Sequence, residues 1–180
     1  MTLRLRSGVP ALRTRAFLRE LRRSFRESSE RRSFRVVHYS VQRNHLHLLV
    51  ESAGKEALGR GMKAISARVA RATQRAFGLN GPVLHGRYHL RILRTPREVR
   101  NALAYVLLNA RRHWRERHGA PPPERIDEAS SARWFEGWRR APGTREPPRE
   151  ARDVAPPRTW LLSIGWRRHG LIDPAEVPGR

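Results

Sequence analysis

The stretch Ser40-Val41-Gln42-Arg43-Asn44-His45-Leu46-His47-Leu48-Leu49-Val50-Glu51 leaves the chain little choice of local structure. A polar turn, Gln42-Arg43-Asn44, opens a run in which apolar residues and histidines alternate. On a strand, residues i and i+2 share a face. His45 and His47 therefore project together, and Leu46, Leu48 and Val50 project from the opposite side. Such a strand needs a sheet with one face packed in a core and a second face that presents two imidazoles. Before the turn, Phe34, Val36, Val37, Tyr39 and Val41 are aromatic or β-branched and favour a strand as well. The two runs predict a hairpin. Two neutral imidazoles on a rigid support are half of a metal site. The plainer alternative is two histidines on a wet sheet face.

The flanking segments supply the rest of a sandwich. Thr2-Leu3-Arg4-Leu5-Arg6 alternates and predicts a short strand, closed by the turn Ser7-Gly8-Val9-Pro10. From Ala11 to about Ser28, Leu12, Ala16, Phe17, Leu21 and Phe25 recur with a helical period, with arginines on the other face. Ser28 to Arg32 reads as a connector. Lys55 to Phe77 predicts a long helix through Leu58, Met62, Ile65 and Val69, with Gly59 and Gly61 weakening its first turns. Gly78-Leu79-Asn80-Gly81-Pro82 stops it. His85-Gly86-Arg87 reads as a loop, and Tyr88 to Arg94 as a further short strand. Thr95-Pro96-Arg97-Glu98 combines an N-cap, a proline at the first helical position and an acid in the first turn. The helix it opens runs through Val99, Leu103, Val106, Leu107 and Ala110 to about Arg117. The order β-α-β-β-α-β-α matches, in its first six elements, the split βαβ of a ferredoxin-like sandwich. The expected fold is α+β: an antiparallel sheet with two helices on one face, an added C-terminal helix and an irregular tail.

Charge narrows the partner. The formal charge is +22 over 180 residues, and lysine occurs only at Lys55 and Lys63. Arginine usage can follow codon bias, but the excess of base over acid calls for a polyanion, nucleic acid first. The chain has no cysteine, which excludes disulfides, thiolate zinc sites and cysteine nucleophiles. No apolar run approaches the roughly 18 residues of a membrane span, and the first residues lack a secretory core. The expectation is a cytoplasmic protein directed to DNA or RNA, with no membrane partner. Beyond Gly119, prolines at 121–123, 147–148 and 156–157 alternate with Trp134, Phe135, Trp138, Trp160 and Trp166. These aromatics either dock on the domain, the favoured reading, or stack on bases. The division expected is a catalytic domain over 1–118 and an extension over 119–180.

Within the last helix, Tyr105 and Asn109 are four apart and share a face, off the apolar stripe of Leu103, Val106, Leu107 and Ala110. By themselves they could be a surface tyrosine packed over an asparagine. Taken with Gln42-Arg43-Asn44-His45-Leu46-His47-Leu48-Leu49 and Gly86-Arg87-Tyr88, the segment Tyr105-Val106-Leu107-Leu108-Asn109 resembles the single-tyrosine HUH transposases, the IS200-like and REP-associated branch. The resemblance covers about residues 1–115. Ala110 stands where relatives often carry proline, a departure that removes no reacting group.

The resemblance implies a divalent metal, Mg²⁺ or Mn²⁺, held by His45, His47 and Asn109, with Tyr105 as nucleophile. It implies a DNA nicking and strand-transfer enzyme that passes through a covalent 5′-phosphotyrosine. Its DNA would be single-stranded or a hairpin, and the family includes both homodimers and monomers. Tyr39 and Tyr88 are the other tyrosines, and both read as packing residues. Arg43, Asn44, Arg87, Arg91, Arg94, Arg111 and Arg112 border the expected site and would meet phosphates, with affinity falling in salt. His85, His89 and His113 offer secondary contacts to the same DNA, although surface histidines are the favoured reading. The competing reading is a catalytically silent or domesticated relative that binds structured single-stranded DNA or RNA. A third is a basic protein whose charge serves only assembly.

Overall fold

The computed structural model describes residues 1–27, 30–31, 33–120, 122, 125–141 and 151–179. Ser28, Ser29 and Arg32 of the expected connector, Pro121 and Pro123, and the pair Pro147-Pro148 lie outside them. The chain forms an α+β structure around one antiparallel sheet. Its strands are β1 (Thr2–Arg4), β2 (Glu30–Arg31), β3 (Phe34–Val41) and β4 (His45–Ser52), in the order β1-β4-β3-β2. The helices are α1 (Arg15–Arg26), α2 (Lys55–Phe77), α3 (Pro96–His118) and the short α4 (Trp160–Ser163).

The hairpin β3–β4 is the centre of the sheet, and its register decides everything that faces outward. Tyr39 pairs with Leu48 and Val41 with Leu46, which puts these side chains on the face covered by α1 and α2. Phe17, Leu21 and Phe25 of α1 and Met62, Ile65 and Val69 of α2 complete that core, all essentially buried. An irregularity between Val36 and His38 shifts the pairing. Val37 thereby joins Leu49 on the opposite face, where α3 packs through Val99, Leu103 and Leu107. A bulge of this kind adds one residue to one strand and re-aims its side chains.

The helices begin and end where local chemistry dictates. Thr14 caps α1 by accepting from the Phe17 N–H at 3.2 Å. The long α2 stops at Gly78, whose φ of +63° is left-handed and so suits glycine. At the head of α3, Thr95 and Glu98 form a reciprocal capping box, with Pro96 at the first position. Gly61 has a packing role that outweighs its low helix propensity. A Cβ there would lie 2.2 Å from the Phe34 ring, so only glycine lets α2 approach β3 this closely.

The expected strand over 88–94 does not form. Residues 83–89 run beside β1 with backbone hydrogen bonds from Arg6 to Val83, from His85 to Arg4, and in both directions between Thr2 and His89. Gly86, at φ +60°, throws a loop out between the two points of pairing, and the pairing stops at Thr2, where β1 starts. Leu90 and Ile92 are left exposed. Beside β1 the sheet therefore ends in isolated bridges rather than in the expected last strand. The two-residue β2 was not foreseen either.

The tail docks on the domain. Phe135, Leu162, Trp166 and Ile172 pack with Val37, Leu49 and Leu103 in one core. Asp153 is fully buried and accepts from Tyr39 Oη at 2.7 Å, from Arg133 Nη2 at 3.1 Å and from Trp134 Nε1. Glu51 accepts from the backbone N–H of Arg158 and from both the N–H and the hydroxyl of Thr159. Ser130 bridges to Ser40 along the outer edge of β3, and the Ala155 N–H reaches the Val36 carbonyl. The edge that β2 leaves open is thus covered, which protects it from pairing with other chains.

Candidate active site

The register of β4 builds the first half of the site. His47 lies opposite Thr2 on one side and Ser40 on the other, and His45 lies opposite Arg4. Both rings are on the α3 face of the sheet. Their Nε2 atoms converge to 3.1 Å, with the rings edge to face. Each outer nitrogen has its own oxygen: His45 Nδ1 meets Asn44 Oδ1 at 2.9 Å, and His47 Nδ1 meets Thr2 Oγ1 at 3.1 Å. An amide oxygen only accepts, so the contact with Asn44 requires Nδ1–H on His45 and leaves its Nε2 lone pair pointing inward. The Thr2 hydroxyl can accept or donate, so it tolerates either tautomer of His47.

Both imidazoles are held neutral. Burial lowers the His47 pKa to about 3, with the neighbouring His45 adding to the shift. Burial lowers His45 too, followed by the charges of Arg4 and His113. Neutral imidazole is the form that binds a cation.

Helix α3 supplies the second half. The Tyr105 ring lies edge to face on His47, centroids 5.1 Å apart, and the Arg112 guanidinium stands over its other surroundings at 5.8 Å. One turn further along, Asn109 is buried, and among the described residues neither its Oδ1 nor its Nδ2 has a hydrogen-bond partner. Buried amides are nearly always satisfied, so this exception calls for a ligand.

These residues fit a hard divalent cation. An octahedral ion with ligands at about 2.1 Å holds neighbouring donors about 3.0 Å apart, close to the spacing of the two Nε2 atoms. Asn44 and Thr2 sit where outer partners would orient the two histidines if they held such an ion. The unpartnered Asn109 oxygen, one helical turn from Tyr105, would be the candidate third donor.

The other tyrosines serve elsewhere. Tyr39 is fully buried, and burial and the Asp153 carboxylate both push its phenol up, away from reactivity. Tyr88 packs against the α1–α2 core. Of the expected DNA contacts, Arg43, Asn44, Arg87, Arg91 and Arg94 are exposed. Asn44 also orients His45. Arg87 sits in the loop beside β1. Arg94 precedes the cap of α3, about three turns from Tyr105. Arg111 is a correction: it is buried and donates to the backbone oxygens of Pro122 and Ala175, so it anchors the tail rather than meeting DNA. Sequence reasoning missed Thr2, whose role follows only from pairing β1 with β4 in the right register. It also missed Glu116, which binds both Arg112 and His113.

Residues 8–89 match the family described as transposase IS200 like. Over that stretch, which is short of half the chain, the protein is similar to IS200-like transposases, and the likeness suggests a DNA-processing function with DNA as partner. The match takes in His45 and His47 and ends before α3, so Tyr105 and Asn109 rest on geometry. No curated protein and no solved structure matches the chain. Among the described residues no helix is long and apolar enough to cross a membrane.

Proposed function

We propose that this chain is an IS200-like transposase that cuts and rejoins single-stranded DNA through Tyr105, with a divalent metal held by His45, His47 and Asn109. The observation that carries the reading is the orphaned Asn109 amide on the same helix face as a tyrosine that touches His47. When bound, Mg²⁺ or Mn²⁺ would supply Lewis-acid polarisation of a phosphate oxygen.

The protein's own part is positional. The strand fixes His45 and His47, and their outer partners Asn44 and Thr2 fix the ring orientation. His47 in turn packs the Tyr105 ring, which limits where the phenol oxygen can travel. Attack forms a bond from that oxygen to phosphorus and breaks the bond to the 3′ oxygen. The phenol gives up its proton, and the leaving oxygen takes one up as a 3′-OH. The 5′ end stays on Tyr105 as a phosphodiester. A 3′-OH from a second strand can reverse the step, so joining needs no external energy source. Exposed Arg43 and Arg87 near the histidine end of the sheet suit the DNA backbone.

The test is incubation of labelled single-stranded hairpin DNA with protein and Mn²⁺, followed by denaturing gels. A covalent adduct is expected, absent in Tyr105→Phe and in His47→Ala. An adduct that persists in Tyr105→Phe refutes the nucleophile. Salt-sensitive binding with no adduct over varied hairpins reassigns the protein as a silent binder.

A further inference from the structure

On α3, residues 105, 109, 112, 113 and 116 fall within one face, because steps of three and four residues stack along a helix. Glu116 sits at the end of that row and divides its two oxygens. Oε1 accepts from Arg112 Nε at 2.9 Å, and Oε2 meets His113 Nδ1 at 3.0 Å. Arg112 is mostly covered, its side chain 18% exposed, and lies 5.8 Å from the centre of the Tyr105 ring. An arginine on a loosely held stem would sample many rotamers and lose that freedom on binding a phosphate. Here the carboxylate fixes it in advance. Because Glu116 takes the Nε–H, the two terminal nitrogens of Arg112 remain available for a phosphate fork. Its contact with His113 Nδ1 orients that ring too, but a neutral imidazole donating there keeps a lone pair on Nε2 and offers a phosphate no donor.

An acidic side chain is out of place on a surface meant for DNA. In a chain of charge +22 it weakens the attraction that Arg112 supplies on that face. Its place there has a physical rationale if it orients its neighbours.

From this geometry we infer that Glu116 is a positioning residue, which holds Arg112 beside Tyr105 as an anion clamp for the phosphate under attack. The inference rests on the strand-cleavage reading and adds to it a protein-built partner to the metal. Arg112 would touch the DNA phosphate, and Glu116 would act only through it.

The clamp makes a prediction of opposite signs. Glu116→Gln removes a negative charge, so binding of single-stranded DNA should hold or tighten. The cleavage rate at saturating DNA should nevertheless fall about tenfold or more, since Arg112 is no longer oriented. Arg112→Lys, which keeps the charge and loses the fork, should reproduce the fall. An unchanged or faster rate at saturation in Glu116→Gln overturns the clamp. A readout independent of cleavage is the Arg112 side-chain Nε–H signal in an ¹⁵N spectrum of the full chain. It should be protected from solvent exchange in the wild type and lose that protection in Glu116→Gln. If wild-type protein forms no Tyr105-dependent adduct but shows this protected signal, the cleavage reading falls and the clamp geometry stands. An unprotected signal in the wild type overturns the clamp whatever the cleavage result.

Discussion

Replacing Asn109 with leucine should make the metal-free protein more stable while it disables the site. Asn109 is 1% exposed, and both polar atoms of its amide lack a protein partner. An unsatisfied buried donor or acceptor costs about 1–3 kcal/mol. Leucine has nearly the same shape and no polar atom, so the exchange removes both costs without opening a cavity. Taking the low end for each atom, the gain is about 2 kcal/mol, with a few tenths more from helix propensity. For a chain of this length that is a rise in Tm of about 4–8 °C. The measurement is urea or thermal unfolding in EDTA, with Tyr105→Phe as a nearly neutral control. Repeating it in Mn²⁺ tests the function. A ligand at a hundredfold excess over its Kd adds about 2.7 kcal/mol to the wild type, and Asn109→Leu should gain clearly less. Destabilisation by leucine in EDTA would show that the amide is satisfied in solution. Equal Mn²⁺ stabilisation of both proteins would remove Asn109 from the metal site.

Two glycines of α2 should respond in opposite directions in the same unfolding assay. Gly59→Ala meets open space and should stabilise by about 0.5–1 kcal/mol, whereas Gly61→Ala drives a methyl into the Phe34 ring and should cost about 1–3 kcal/mol. Burial alone would raise the Glu51 pKa, but hydrogen bonds from Thr159, Arg158 and Arg35 outweigh it and hold the carboxyl below its ordinary 4.5. Its contribution is therefore complete above that value and is lost as pH falls through the lower folded-state value, so urea midpoints should drop in this acid range and drop less steeply in Glu51→Gln. Asp153→Ala strips the acceptor from Tyr39 Oη and Trp134 Nε1 and breaks a buried ion pair with Arg133; a loss of about 3–5 kcal/mol is expected from denaturant unfolding.

What was readable in the sequence were features set by near neighbours. The span of α2 and its stop at Gly78 follow from helical period and backbone freedom, and the start of α3 follows from Thr95, Pro96 and Glu98. The hairpin and the shared face of His45 and His47 follow from a period of two. The segment 88–94 has the same local qualities, Leu90 and Ile92 alternating with polar residues, and still forms no strand. A strand is a property of two segments, and here the loop at Gly86 and the start of β1 at Thr2 withhold the partner. Arg111 and Arg112 are adjacent and chemically identical, yet helical rotation buries one against tail carbonyls and points the other at Tyr105. No single-residue rule separates them.

The same distinction explains where function sits. The core of α1, α2 and the sheet largely satisfies local preference, Gly59 and Gly61 apart. The site breaks it: neutral histidines turned nitrogen to nitrogen, an amide buried without a partner among the described residues, a carboxylate tying up an arginine in a strongly basic chain. Each costs stability that packing elsewhere offsets. Two of the three involve α3, and α3 is clamped from outside. Phe135, Leu162 and Trp166 of the tail pack on it, Arg100 pairs with Glu176 at 2.6 Å, and Arg111 binds Ala175. The tail, which carries none of the proposed chemistry, thus supplies contacts that hold α3 against the sheet that carries the histidine strand.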